Sequence, residues 1–91
     1  MSDRIAREVV VHGRVQGVFF RDSCRRAAEA ADVAGWVTNA PDGTVRAWFE
    51  GPAEGVDRLV SWAHDGPPRA SVDRFDVHEV DPAGLDAFEV R

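Results

Sequence analysis

Residues 7–31 read REVVVHGRVQGVFFRDSCRRAAEAA, and the change of period inside this stretch decides the fold. The first six residues, Arg7 to His12, form a short run rich in β-branched side chains that Gly13 stops, which predicts a buried strand. After a loop from Gly13 to Phe20 the pattern changes. Phe20, Cys24, Ala27 and Ala31 recur at helical spacing while Asp22, Arg25, Arg26 and Glu29 fall on the other face, so an amphipathic helix follows and ends before Gly35. A strand feeding a helix through a glycine-containing loop is the opening of a βαβ unit.

The next segments decide which unit it is. Trp36-Val37-Thr38-Asn39 and Val45-Arg46-Ala47-Trp48-Phe49 flank Ala40-Pro41-Asp42-Gly43-Thr44, whose Pro-Asp-Gly supplies turn geometry for a β-hairpin. From Gly51-Pro52 onward, Val56, Leu59, Val60 and Ala63 make a second helical stripe, terminated by Gly66-Pro67-Pro68 because neither proline can continue a helix. Val72 to Val80 alternates as a strand, and Phe88-Glu89-Val90 suits a short edge strand. The order βαββαβ plus an edge strand predicts an α+β ferredoxin-like sandwich, an antiparallel sheet with two helices on one face, which buries each of these apolar stripes. In this topology the first and second strands are parallel with the third between them, so their C-terminal ends share one edge of the sheet. The Gly13–Phe20 loop and Asn39 are therefore expected about 10 Å apart, a gap that the loop and a long Arg side chain can close.

Composition narrows the function. No linker-like stretch divides the 91 residues, so residues 1–91 are expected to form a single domain. For 10.0 kDa the surface-scaling rule gives about 5,200 Å² folded against about 14,500 Å² extended, enough burial for two thin layers without staples. Cys24 is alone and no apolar run opens the chain, which predicts a cytoplasmic protein with no disulfide and no membrane segment. A formal charge of -5 opposes the attraction that nucleic-acid binders use, so no nucleic-acid partner is expected. All 11 basic residues are Arg, which composition bias explains first, although the planar guanidinium also suits phosphate. With no long apolar surface stripe unassigned, a monomer is the default expectation.

Gly13 and Gly17 let the backbone curl with its N–H groups inward, and the loop opens into a helix N-terminus that favours an anion. Alone, such a loop is as readily a structural turn. Arg21 changes the weighting, because at the junction of loop and helix it adds a bidentate, permanently charged clamp. The Gly-Lys-Ser/Thr ending of a nucleotide P-loop is missing, which disfavours a nucleoside triphosphatase. A cysteine phosphatase needs its nucleophile at the start of the loop, whereas Cys24 follows Arg21 and lies on the apolar stripe as a buried thiol. Asn39 ends the second strand and admits two readings: a turn cap, or an amide that holds a water in line with a bound phosphorus. His12, His64 and His78 are isolated and read as surface or packing residues, so neither metal nor cofactor is expected. Trp36, Trp48 and Trp62 read as core or half-buried packing.

Two longer motifs carry a resemblance. Gly13-Arg14-Val15-Gln16-Gly17-Val18-Phe19-Phe20-Arg21 resembles the first signature of the acylphosphatase family, and Gly35-Trp36-Val37-Thr38-Asn39-Ala40-Pro41-Asp42-Gly43-Thr44-Val45 resembles the second. Gly66 to Val72 and the terminal Phe88-Glu89-Val90-Arg91 are similar to the family's later segments, so the resemblance spans nearly the whole chain. It implies hydrolysis of small-molecule acyl phosphates to a carboxylate and inorganic phosphate by a positioned water, without metal, and phosphate acting as a competitive inhibitor. It further implies that Arg21 binds the substrate phosphate, that Asn39 positions the water, and that backbone amides of Val15, Gln16, Gly17, Val18, Phe19 and Phe20 complete the cradle. Many relatives carry an aromatic or extra residue after the position of Arg91, a departure that touches the packing of the edge strand rather than the site. Two other readings stay open on the same fold. One is a non-enzymatic small-ligand or regulatory module, including an acylphosphatase-like domain within a carbamoyl-phosphate-using assembly. The other, an RNA-recognition module, needs exposed aromatics on the central strands and a basic face, and is opposed by Val9-Val10-Val11 and the acidic balance.

Overall fold

Seven elements follow one another in the expected order: β1 (Arg4–Arg14), α1 (Phe20–Ala30), β2 (Ala34–Asn39), β3 (Val45–Pro52), α2 (Ala53–Asp65), β4 (Ser71–Val80) and β5 (Phe88–Val90). They are seen in a computed structural model that describes residues 3–91. The strands form a five-stranded sheet in the order β4-β1-β3-β2-β5, in which β1 pairs antiparallel with β3 and β4, and β2 pairs antiparallel with β3. This is the ferredoxin-like arrangement. Val11 pairs with Val45, and Val45 with Asn39, so Asn39 is level with Val11, three residues before the end of β1.

Alternation along the strands puts Val9, Val11, Val37, Val45, Ala47 and Phe49 on one face, where they meet Phe20, Cys24 and Ala28 of α1 and Val56, Leu59 and Ala63 of α2. The α1 stripe is turned slightly from the expected one. Ala28 is buried, one turn on from Cys24, whereas Ala27 and Ala31 flank it half-buried. The accessible surface of 5332 Å² agrees with the value expected from mass. No helix among the described residues is long and apolar enough to cross a membrane.

Two local features depart from the sequence reading. β1 does not stop at Gly13 but runs through it to Arg14, with a register shift against β4 between His12 and Gly13. Gly13 has φ 121°, and a Cβ there would run into the backbone oxygen of Ser71. Close approach of β4 at this irregularity, rather than curling of the loop, is what demands glycine at this position.

The second departure is the edge strand, which makes the sheet mixed. β5 pairs parallel with β2, because β4 ends where β1 and β2 begin and the chain must cross to the opposite edge from there. Four strand spacings are about 19 Å, within reach of residues 81–87. Midway along this crossing lies Glu50, with 0% of its side chain exposed. It accepts hydrogen bonds from the amides of Ala83 (2.8 Å), Gly84 (2.8 Å) and Leu85 (3.0 Å), from the Trp48 indole (3.0 Å) and from Arg4 Nη2 (3.1 Å). One buried carboxylate thus staples the crossover, and β5 emerges pointing towards the edge where β1 and β2 end.

Candidate functional site

Between β1 and α1 the chain anchors itself with Val15 and Val18, both buried, while Gly17 and Phe19 take left-handed φ values of 72° and 63°. Such a φ is free for glycine but costs on the order of 1–3 kcal/mol for a phenylalanine. The twist turns the Phe19 ring outward, leaving it 69% exposed. Phe19 is also the N-cap of α1 and makes no side-chain capping bond, so the first amides of the helix lack the acceptor that Ser, Thr, Asp or Asn would give. These amides, with the positive end of the helix dipole, favour an anion at this point.

Asp22 sits in the same first turn, and its carboxylate is occupied by Arg25 Nη2 at 3.0 Å and Arg26 Nε at 3.2 Å. Gln16 faces the other way. Its Nε2 donates to the carbonyls of Ala40 (2.8 Å) and Thr44 (3.0 Å), tying the loop to the turn that follows Asn39. That turn has its own supports, since the Thr44 amide and hydroxyl donate to Asp42 Oδ1 at 3.0 and 2.6 Å and the Ala40 amide donates to the Thr44 carbonyl at 2.8 Å. The Thr44 hydroxyl, and then its amide, hold the Asp42 carboxyl below the usual carboxylate range. Hydrogen bonding within the turn therefore does not depend on the Asn39 side chain.

Arg21 is exposed on α1, and its Nη1 donates to the main-chain oxygen of Arg91 at 3.2 Å. The Arg91 amide in turn donates to the Val37 carbonyl at 2.9 Å, and the Arg91 guanidinium lies 5.3 Å from the centre of the Trp36 ring. The end of β5 thus holds Arg21 beside the end of β2. A cavity of about 340 Å³ results, and of the residues singled out in the sequence it is lined by Val15, Gly17, Phe19, Phe20, Arg21 and Asn39. Gln16 and Val18 stand outside the lining, one as the staple to the turn and the other in the core. Asp22 and Val90 complete the wall and were not anticipated. Val90 could be found only once β5 was known to pair parallel with β2.

The other candidates lie elsewhere. Cys24 is fully buried, and burial pushes its thiol well above the ordinary range. His12 pairs with Asp76 at 3.0 Å, His64 meets Phe75 edge-on at 5.3 Å, and His78 is exposed on β4. Trp36 and Trp48 stack at 6.5 Å on the sheet face away from the helices, half-buried, and Trp62 packs edge-on against Phe20 at 5.3 Å. Among the described residues no group of three His, Cys, Asp or Glu side chains is placed to hold a metal ion.

Residues 7–90 match the family model described as acylphosphatase. The chain is 50% identical over 91 residues to an acylphosphatase of Natronomonas pharaonis, covering 100% of this chain and 99% of the other. To an acylphosphatase of Rubrobacter xylanophilus it is 59% identical over 85 residues, 91% of this chain and 76% of that one. Its backbone superposes on that of an acylphosphatase from Coxiella burnetii with a TM-score of 0.93 at 36% identity, covering 98% and 94% of the two chains.

Proposed function

The chain belongs to the acylphosphatase family and hydrolyses acyl phosphates to a carboxylate and inorganic phosphate, and from that premise we propose that Arg21 holds the phosphoryl group while Asn39 guides the water. The observation that carries this reading is that two residues 18 positions apart in sequence, Arg21 and Asn39, line one cavity with Gly17 and Phe19 of the loop. On this account the backbone amides from Val15 to Phe20 and the guanidinium of Arg21 form a phosphate-binding loop, and the phosphate replaces the Arg91 oxygen as the partner of Arg21. The Asn39 amide accepts a hydrogen bond from the water and orients its oxygen at phosphorus. The new P–O bond forms as the bond from phosphorus to the acyl oxygen breaks, the electron pair leaves with the carboxylate, and the water's proton passes to solvent or phosphate oxygen. A leaving carboxylic acid has a pKa of about 4, by analogy with Glu, so no general acid is required. Positioning and charge stabilisation dominate phosphoryl transfer, and Arg21 with the loop amides supplies both without a metal.

The reading extends to a cytoplasmic monomer formed by a single domain, supported by the lone buried Cys24 and the continuous core. A non-enzymatic module is disfavoured by the family membership. The test is hydrolysis of benzoyl phosphate. Activity is expected to survive exhaustive chelation, with inorganic phosphate competing against substrate. Arg21→Ala is expected to lose at least about 100-fold in turnover, roughly 2.7 kcal/mol, and to weaken inhibition by phosphate. Activity lost to chelator and rescued by a divalent ion, or purely noncompetitive inhibition by phosphate, contradicts the mechanism.

A further inference from the structure

Among the described residues three large apolar side chains are markedly exposed: Phe19 at 69%, Val90 at 43% and Val77 at 41%. Two of the three, Phe19 and Val90, line the same cavity as Arg21 and Asn39. Separate elements deliver them. A left-handed backbone at φ 63°, ψ 26° turns Phe19 outward, and the parallel pairing of β5 with β2 brings Val90 to the end where Asn39 lies. An aromatic ring left exposed by a strained backbone, at the mouth of a site, calls for an apolar ligand.

An acyl phosphate has two ends, and only one is accounted for by Arg21, Asn39 and the loop amides. We propose that Phe19 and Val90 form the acyl subsite, and that it selects apolar, ring-sized acyl groups over acyl groups that carry a second carboxylate. The proposal rests on the reading of Arg21 and Asn39 given above. A cavity of about 340 Å³ lies in the size range of small-ligand pockets, larger than a phosphate alone needs. Ring contact with Phe19 and burial of Val90 reward an apolar acyl group. Among the described residues Arg21 is the one cation that lines the cavity, and phosphate engages it, while Arg25 and Arg26 on the same helix already pair with Asp22. Asp22 lines the cavity and keeps both guanidinium groups engaged, so neither turns to receive a second carboxylate, and the net charge of -5 opposes the approach of a further negative charge.

The experiment compares kcat/KM for benzoyl, acetyl and succinyl phosphate in the wild type and in Phe19→Ala, Phe19→Leu, Val90→Ser and Asp22→Asn. A ratio between two substrates on one folded variant cancels any damage to the shared phosphate cradle. Phe19→Ala is expected to lower the benzoyl-to-acetyl ratio about tenfold, equivalent to about 1.4 kcal/mol. Phe19→Leu should recover part of that ratio, and Val90→Ser should lower it about threefold. Asp22→Asn is expected to raise the succinyl-to-acetyl ratio about threefold. Ratios unchanged in Phe19→Ala and Val90→Ser overturn the subsite, and an unchanged ratio in Asp22→Asn overturns its charge selection. If Arg21→Ala keeps full turnover on every substrate, the underlying site reading fails instead, so the two failures are distinguishable.

Discussion

A carboxylate with no exposed surface must be matched by donors, and Glu50 accepts from three amides, an indole and a guanidinium. Burial pushes its pKa up, but the Ala83 amide, the Trp48 indole, Arg4 and the Leu85 amide outweigh it and hold the value at about 2, against 4.5 for an ordinary glutamate. Because the folded pKa is the lower one, acid protonates the unfolded chain first. The stabilisation from Glu50 is therefore complete above about pH 4.5 and is lost as pH falls towards 2. Glu50→Gln is expected to cost on the order of 3 kcal/mol at pH 7 in urea unfolding, and to flatten the loss of stability between pH 4.5 and 2 relative to wild type. Asp42 and Asp76 are also held low, by Thr44 and Arg74 first, but both are present in the two proteins and cancel from the comparison. Parallel acid curves for wild type and variant would remove Glu50 as the group responsible. Two glycines make a second test. Both Gly13 and Gly17 have positive φ, yet a Cβ on Gly13 meets the backbone of β4 while one on Gly17 meets open space. Gly13→Ala is expected to destabilise by about 2–4 kcal/mol and Gly17→Ala by only about 1–2, with the larger loss of phosphate affinity in Gly17→Ala. Sequence cannot separate these two settings, since a strand irregularity and a left-handed loop position ask for the same residue.

The β1–loop–α1 unit and the β2–β3 hairpin were legible because each carries its own period, with Pro41-Asp42-Gly43 marking the hairpin turn, although β1 runs on through Gly13, the glycine expected to stop it. β5 was legible only as a short edge strand. Its three residues are too few to reveal a partner or a direction, and both follow from where β4 ends and how far residues 81–87 reach. The same limit hid Val90 as part of the cavity wall. Gln16 was read for its backbone amide, and its side chain proves to join the loop to the β2–β3 turn, a contact visible only once those elements are side by side. Removing two hydrogen bonds at a part-buried site costs about 1 kcal/mol for each. Gln16→Ala is accordingly expected to unfold at lower urea and to raise the inhibition constant of phosphate about five- to tenfold, as the loop loses its tie to the turn. An unchanged inhibition constant would show that the loop holds its shape without the staple.

Taken whole, the molecule uses one sheet to bring three strand ends to a common edge. The parallel strands β1 and β2 bring the loop after β1 and Asn39 to the same end of the sheet, which could be derived from strand order alone, and β5 adds Val90 and the oxygen that receives Arg21. At the opposite edge of the same sheet Glu50 fastens the crossover that makes this possible. The proposed function is a division of labour, with Arg21 binding phosphate and Asn39 guiding water. Asn39→Ala separates the two roles most directly, with phosphate binding followed by calorimetry, turnover of benzoyl phosphate measured on the same sample, and circular dichroism to verify the fold. Phosphate affinity is expected within about twofold of wild type and turnover at least about 100-fold lower, the cost of losing one preorganised polar partner. A folded Asn39→Ala that keeps more than about a tenth of wild-type turnover would contradict this division and return Asn39 to the role of a strand-end residue.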